Sequence, residues 1–268
     1  MFDKSCGLKE IISMKLRHQL DVTRLRKNEI AIFWLGQAGF IIKDYDENIV
    51  VIDPYLTDCG ERIRGFKRLT PKLLSPGELE PDIYITTHIH FDHFDFDAVP
   101  IVSSCPWTKF FGPQTCVDKY LELGIKKERV SLLGCGTEIT EKNIMIKAVF
   151  ADHGRLAPEA IGILLNINGI KLYFSGDTAY RPEMIKDVID FAPDIAILSV
   201  NGKFGNLNSE EGAKLASDIG AKIAIPCHYW MFKEHGGDPQ LFEEEMKKHS
   251  PQCLTKFMCQ GEMFRYSL

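Results

Sequence analysis

The side chains best suited to chemistry lie in one short stretch, Thr87 to Asp95, which reads Thr-His-Ile-His-Phe-Asp-His-Phe-Asp. This stretch holds three of the eight histidines and two carboxylates. Neutral imidazole and ionised carboxylate are ligands that Zn, Mn and Fe accept. The preceding run, Asp82 to Thr86, is apolar and β-branched, so we expect a buried strand that ends at these side chains. One histidine alone would be typical of a core or surface position, but three beside Asp92 indicate a metal site.

Three further segments share this design, in which an apolar strand stops at a residue that can bind metal. They end at His153, Asp177 and His228. Each alone is more typical of a turn or a cap than of a ligand. Together with the first stretch they supply five histidines and two aspartates, which is the complement of a two-metal centre with one bridging carboxylate. The predicted ligands are His88, His90, Asp92, His93, His153, Asp177 and His228.

The composition predicts a globular protein with a large core. With 268 residues and 45% hydrophobic content, the chain can bury a large core as a single domain, 1–268, in which 1–28 form an N-terminal helix and connector. The net charge of −5 provides no bulk attraction for nucleic acid or anionic membrane. No apolar run approaches the roughly 20 residues of a membrane span, and the N-terminus lacks the apolar core of a signal peptide. The sequence is compatible with a homo-oligomer.

The cysteine usage favours the cytoplasm. The eight cysteines are scattered and form no CxxC pair. In a chain of this length, that distribution is typical of reduced thiols rather than of a disulfide framework.

Hydrophobic periodicity and turn residues predict a mixed α/β chain. Asn168-Gly169 is a strong hairpin signal, and Asn208 to Glu211 has the spacing of a capping box. The segment 56–81 has no convincing period and is interpreted either as a solvated basic loop or as a flap over the metal pocket. The predicted strands are 30–35, 39–43, 48–53, 82–86, 109–112, 130–133, 143–150, 161–166, 171–175, 194–200, 222–226 and 255–265. The predicted helices are 8–20, 113–123, 182–190, 208–219 and 239–249.

These elements follow a coarse symmetry. Each half of the chain begins with strands in a run and continues with strands that alternate with helices. Short turns between the first three strands predict a meander that is locally antiparallel. Two mixed sheets packed together, with helices outside, would satisfy the pattern.

The order of the candidate ligands resembles that of the metallo-β-lactamase superfamily, whose signature is HxHxDH followed by distant His, Asp and His. The resemblance implies that His88, His90 and His153 hold one metal. It implies that Asp92, His93 and His228 hold the other and that Asp177 bridges the two. The implied fold is a four-layer αββα sandwich of the α/β (α+β) class, with the metals at one edge of the paired sheets.

Several longer segments are similar to the L-ascorbate-6-phosphate lactonase family. They include Trp34 to Phe40, Ile52 to Asp58, Tyr173 to Thr178 and Pro226 to Phe232, and such segments cover most of the chain from residue 32 onward. This resemblance implies a hydrolase that opens a lactone of a small anionic sugar derivative with the help of two divalent ions, Zn, Mn or Fe.

The predicted reaction is attack on a lactone carbonyl by a hydroxide that two metals generate from a shared water. Asp177 would bridge the metals, and Asp92 could carry a proton to the leaving alkoxide. A phosphodiesterase or nuclease of the same fold is the alternative, because the same apparatus would cleave a phosphodiester. The acidic net charge counts against a nuclease, and the intact ligand set counts against a binding protein without catalysis.

Residues outside the ligand set are predicted to support it. Asp53 follows a predicted strand and is expected to orient a metal-binding histidine, as carboxylates commonly do. An anionic sugar substrate requires cations and hydrogen-bond donors beyond the metals. Surface solvation is the more typical role of the cationic candidates, and a structural role is the alternative for Asn201 and Tyr229. The candidate substrate contacts are Asn201, Lys203, Arg155, Arg181, Tyr229 and His235.

Overall fold

The structure is a computed structural model that describes residues 16–268. Its strands form two seven-stranded sheets. The first sheet contains β1 (Glu29–Gly36), β2 (Gly39–Lys43), β3 (Ile49–Ile52), β4 (Ile83–Ile85), β5 (Lys109–Gly112), β6 (Val130–Leu132) and β14 (Met263–Ser267). The second contains β7 (Glu138–Glu141), β8 (Ile144–Phe150), β9 (Ile161–Ile167), β10 (Ile170–Phe174), β11 (Ile195–Ser199), β12 (Ile223–Cys227) and β13 (Leu254–Thr255).

Helices cover the outer faces of both sheets. The described part of α1 spans residues 16–22. The other helices are α2 (Cys59–Arg64), α3 (Ala98–Val102), α4 (Gln114–Glu122), α5 (Lys186–Phe191), α6 (Ser209–Asp218) and α7 (Pro239–His249). None of the described helices is both long and apolar enough to cross a bilayer.

Successive side chains along a strand point to opposite faces of the sheet, and this alternation explains why each sheet packs against a layer on both faces. On β1, Ile30 and Ile32 face the core between the sheets, whereas Ala31 and Phe33 belong to a second core that includes Leu20 of α1. Because both faces of the strand are buried, β1 is an almost continuous apolar run.

The outer face of the second sheet is covered in the same way. Val188 of α5, Leu215 of α6 and Phe242 of α7 are buried in the core that also fills the space between the sheets. Helix, sheet, sheet and helix therefore form four layers, and the predicted αββα sandwich of the α/β (α+β) class is confirmed.

Each sheet joins an antiparallel part to a parallel part. Strands β1 to β3 are antiparallel and β3 to β6 are parallel. Strands β7 to β10 are antiparallel and β10 to β13 are parallel. The predicted meander and the coarse symmetry of the halves are confirmed. The predicted hairpin is also present, since Asn168 and Gly169 join β9 to β10 with φ values of 54° and 91°.

The prediction of one strand at 255–265 is wrong. Strand β13 ends the second sheet, the chain then crosses over, and β14 pairs with β1 in the first sheet. Gly261, with φ of 84°, donates its N–H to the carbonyl of Trp34 at 2.7 Å at the crossing point. Apolar spacing cannot show such a change of sheet, because β13 has only two residues and no residue of either strand is fully buried.

Short elements account for the other differences. The segment 56–81 contains α2, and both α2 and α3 are too short for a helical period to emerge. The predicted helix 182–190 is a 3₁₀ turn, Pro182–Met184, followed by α5. Strand β7 was missed because it lies at a sheet edge and is largely exposed. Residues 8–15 of the predicted helix 8–20 lie outside the described residues.

The sheets bring the chemically capable residues to one edge. Asp53 follows β3, His88 follows β4, His153 follows β8, Asp177 follows β10 and His228 follows β12. All five therefore come after the carboxyl ends of their strands. The fold positions the site there.

The N-terminus of α6 allows a test of the predicted capping box. The Asn208 side chain accepts the Glu211 N–H at 2.9 Å, and the Glu211 carboxylate accepts the Asn208 N–H at 3.0 Å. Asn208→Ala should lower the free energy of unfolding by about 1 kcal/mol because the side-chain acceptor of the Glu211 N–H is lost. Urea denaturation measures this loss, and Asn208→Ser should retain most of the stability. Equal stability of the Ala variant and the parent would contradict the assignment.

Candidate metal centre

Three imidazoles converge on one point at the sheet edge. Nε2 of His88 lies 2.9 Å from Nδ1 of His90, and Nε2 of His153 lies 3.3 Å from the same Nδ1. Oδ2 of Asp177 is 3.7 Å from Nε2 of His153. A tetrahedral metal with ligands at about 2.1 Å would hold its donor atoms roughly 3.4 Å apart, so this spacing suits a divalent ion.

A second donor set lies beside the first. Nε2 of His93 is 3.2 Å from Nε2 of His228, and the same two atoms lie 3.3 Å and 3.2 Å from Oδ1 of Asp177. Oδ2 of Asp92 is 3.3 Å from Nε2 of His228 and 3.6 Å from Nε2 of His93. These separations also match the tetrahedral spacing.

Asp177 joins the two sets, because Oδ1 faces the second and Oδ2 faces the first. Oδ1 is buried and has no hydrogen-bond partner among the described residues. An unpartnered buried carboxylate oxygen costs free energy unless a cation compensates it. The donors present therefore fit two divalent ions. The structure brings together all seven residues that the sequence predicted as ligands.

Hydrogen bonds turn one ring nitrogen of His93 and one of His90 towards the site. Nδ1 of His93 donates to Oδ2 of Asp53 at 2.7 Å, which leaves Nε2 free to bind metal. Asp53 also accepts the backbone N–H of Thr87 at 2.7 Å. Nε2 of His90 donates to the carbonyl of Leu156 at 3.1 Å and leaves Nδ1 free. Partners of this kind fix the tautomer and the orientation of metal ligands, and Asp53 lies where the sequence placed it.

The electrostatics of the first set favour metal binding at neutral pH. Burial lowers the pKa of His88 and His90, and lowers the pKa of His153 to about 4. Burial would raise the pKa of Asp177, but the imidazoles of His228 and His93 hold it well below its usual value. The imidazoles are therefore neutral and the carboxylate is ionised, which are the protonation states that bind metal.

The second set holds protons when no cation occupies it. Burial lowers the pKa of His228, but the carboxylates of Asp177 and Asp92 outweigh burial and raise it to about 9. Burial likewise opposes protonation of His93, whose pKa the surrounding carboxylates raise well above its usual value. A metal that binds here must displace these protons.

Gln37 and His235 extend the site; the sequence analysis named His235 as a candidate substrate contact and did not single out Gln37. Nε2 of Gln37 donates to Oδ2 of Asp92 at 2.8 Å and lies 2.7 Å from Nδ1 of His235. The ring of His235 stacks on that of His228, with centroids 5.1 Å apart and planes 3° apart. Asp92, His228 and His235 form a further group whose donor atoms could hold a metal.

Gln37 has no chemical signature in the sequence, because amides are not typical ligands of these metals. It lies in the turn between β1 and β2 with φ of 51°, and its carbonyl accepts the His228 N–H at 3.0 Å. Gln37 lies next to the candidate metal ligands because the tertiary fold brings this turn to them. The only signal available was the tight turn after a predicted strand.

A cavity of about 440 Å³ opens onto the two donor sets. His90, Asp92, His153, Asp177 and His228 contribute to its lining. Its remaining wall is largely apolar, with the residues Ile63, Phe66, Phe91, Phe96, Leu156 and Phe204. Substrate that reaches the metal residues must pass these side chains.

The predicted substrate contacts mostly lie outside this cavity. Of the six, His235 alone lines this cavity. Arg181 donates to Asp152 at 2.6 Å, and Arg155 is exposed. Tyr229 packs on Trp34 in a separate cavity.

The two remaining predicted contacts support the loop that carries His235. The amide of Asn201 donates to the carbonyl of His235 at 3.2 Å. Nζ of Lys203 donates to the carbonyl of Glu234 at 3.1 Å. Proximity in sequence to a candidate ligand does not determine which way a side chain points.

The segment 56–81 partly forms the wall of the cavity. Ile63, Arg64 and Phe66 line it, as the flap interpretation expected of this segment. Arg68 instead lies over the ring of Tyr55, with the guanidinium carbon 4.4 Å from the ring centroid. Arg62 pairs with Asp97.

Comparison with known proteins places the fold and the site in a family. A family model described as "Beta-lactamase superfamily domain" matches residues 31–228. The probable L-ascorbate-6-phosphate lactonase of Salmonella choleraesuis is 28% identical over 87% of this chain and 79% of that protein. The family resemblance inferred from the sequence is thereby confirmed.

Solved structures share the fold. A metallo hydrolase from the archaeon Ignicoccus hospitalis has a TM-score of 0.72 and 20% identity, over 90% of this chain and 99% of that one. An isothiocyanate hydrolase from Delia radicum gut bacteria has a TM-score of 0.70 and 19% identity, over 88% and 99%.

Asp53 contacts a candidate ligand but is not one itself, so its substitution tests the metal centre without removing a donor atom. Asp53→Asn should weaken metal binding by roughly 10- to 100-fold, because the amide no longer holds His93 through an ionised acceptor. Competition with a chromophoric chelator measures the affinity. Asp190→Asn, on the surface of α5, is the matched control and should bind metal as the parent does. Equal affinities for both variants would refute the role of Asp53.

Proposed function

The chain is a hydrolase of the beta-lactamase superfamily, and from that premise we propose that it opens lactone rings with the help of two divalent ions. The observation that carries the proposal is the position of Asp177, whose two oxygens face two separate donor sets. Zn, Mn and Fe all accept these nitrogen and oxygen donors.

When bound, two such ions lower the pKa of a water between them and supply a hydroxide nucleophile near neutral pH. The residues of the chain provide the remaining parts of the reaction. Asp177 stays ionised through its contacts with His93 and His228. The apolar wall of the cavity lies beside the residues that would hold the metals.

Asp92 is the proposed proton carrier. Nε2 of Gln37 donates a hydrogen bond to Oδ2 of Asp92 at 2.8 Å. Asp92 also lines the cavity that faces the donor sets. A carboxylate in this position can accept a proton from the attacking water and deliver it to the alkoxide that leaves as the ring opens.

Similarity to a probable L-ascorbate-6-phosphate lactonase supports a lactone as the substrate. The same name supports the sequence prediction of a small anionic sugar derivative. A phosphodiester is the competing substrate class, because a two-metal site can also stabilise its displacement. The net charge of −5 favours a small substrate over a nucleic acid.

Asp92→Asn tests the proposal. After reconstitution with Zn or Mn, the parent should hydrolyse γ-butyrolactone, and kcat should fall by roughly 10²- to 10⁴-fold in the variant because proton transfer is lost. A pH-indicator assay measures ring opening, and metal content determined in parallel separates loss of chemistry from loss of metal. Asp190→Asn is the control. Hydrolysis of bis(p-nitrophenyl) phosphate without hydrolysis of any lactone would overturn the lactonase proposal.

A further inference from the structure

The wall of the metal-facing cavity specifies the substrate more narrowly. On the basis of the proposed lactonase function, we infer that the preferred substrate carries an apolar substituent, a phenyl ring or an alkyl chain, rather than a phosphorylated sugar chain. Three observations carry this inference: a fixed aromatic wall, a shortage of positive charge, and a strained aromatic residue at the mouth.

The aromatic wall is held by its own contacts. Phe66 packs edge-on against Phe91, with ring centroids 5.6 Å apart and planes at 86°, and against His235 at 5.7 Å. Buried Phe232 contacts Phe66 at 6.1 Å and Phe91 at 5.8 Å from behind. Such edge-to-face pairs fix the rings relative to one another. The wall therefore presents a preformed apolar surface next to the metal residues.

Positive charge is scarce in the same lining. Arg64, in the last turn of α2, is the one arginine or lysine that the residues 16–268 contribute to it. The neighbouring Arg68 is committed to the carbonyl of Tyr55 at 2.7 Å. Phosphate groups are usually bound by bidentate arginines or by several backbone N–H groups. The lining offers a dianion one exposed arginine, together with the carboxylates of Asp92 and Asp177.

Phe204 is held at the mouth in an unfavourable conformation. Its φ of 57° lies in the left-handed region, which bulky residues rarely adopt. Its ring is 47% exposed and lies 5.4 Å from the ring of His235. Neither the backbone nor burial favours a phenylalanine here, and strain of this kind concentrates at binding sites. A ligand that covers the ring would account for it.

A substrate series tests the inference. γ-Butyrolactone and its γ-propyl, γ-pentyl and γ-phenyl derivatives share one reacting ring and differ only in apolar surface. We expect kcat/KM to rise roughly two- to fourfold for each added methylene. Glucono-1,5-lactone and its 6-phosphate form the polar pair. We expect the phosphate group not to raise kcat/KM.

Two variants test whether Phe204 is responsible for the preference for apolar substituents. Phe204→Gly relieves the backbone, so its midpoint of thermal unfolding should not fall, whereas the kcat/KM ratio of the γ-phenyl to the unsubstituted lactone should drop roughly tenfold or more. Trp107→Ala removes an equally exposed aromatic ring outside this cavity and should leave the ratio unchanged.

The outcomes separate the two proposals. If lactones are opened but the phosphorylated lactone is preferred, and Arg64→Gln abolishes that preference, the apolar inference is overturned and the lactonase proposal stands. An unchanged ratio in Phe204→Gly would also overturn the inference. If no lactone is opened by the metal-loaded protein, the proposed function itself fails.

Discussion

The rest of the structure depends on one constraint, which is that the carboxylate of Asp177 must lie between two sets of imidazoles. Its Oδ1 is 3.2 Å from His228 and its Oδ2 is 3.7 Å from His153. Carboxylate and imidazole groups this close are stable in a buried site only with correct protonation or with cations between them. The backbone leading to Asp177 is correspondingly tight. A Cβ on Gly176 would lie 2.6 Å from the carbonyl oxygen of Ile161, so only glycine fits there.

Both sheets are needed to satisfy this constraint. His88 and His93 follow a strand of the first sheet, whereas His153, Asp177 and His228 follow strands of the second. The site therefore exists only when the faces of the two sheets pack, and the apolar core between them serves catalysis by fixing the distances among donors. The cavity wall comes from less regular segments, including α2 and the residues after it, where Phe66 packs against Phe91.

The ligands could be predicted from sequence, whereas their surroundings could not. The chemistry of His and Asp is visible in residue type, and the apolar runs before them are long enough to read as strands, so seven donors could be identified. Gln37 and His235 reach the site through a tight turn and a loop whose paths depend on tertiary contacts. Most of the predicted substrate contacts lie outside the cavity for the same reason. Arg181, for example, turns outward to Asp152 because a partner is available there.

Anomalous diffraction from crystals of the metal-reconstituted protein tests the central claim most directly. The predicted result is two peaks, one among His88, His90 and His153 and the other among Asp92, His93 and His228, with Asp177 contacting both. A single peak would contradict the account. So would a second ion held by Asp92, His228 and His235 without His93, since these three donors also lie within reach of one another.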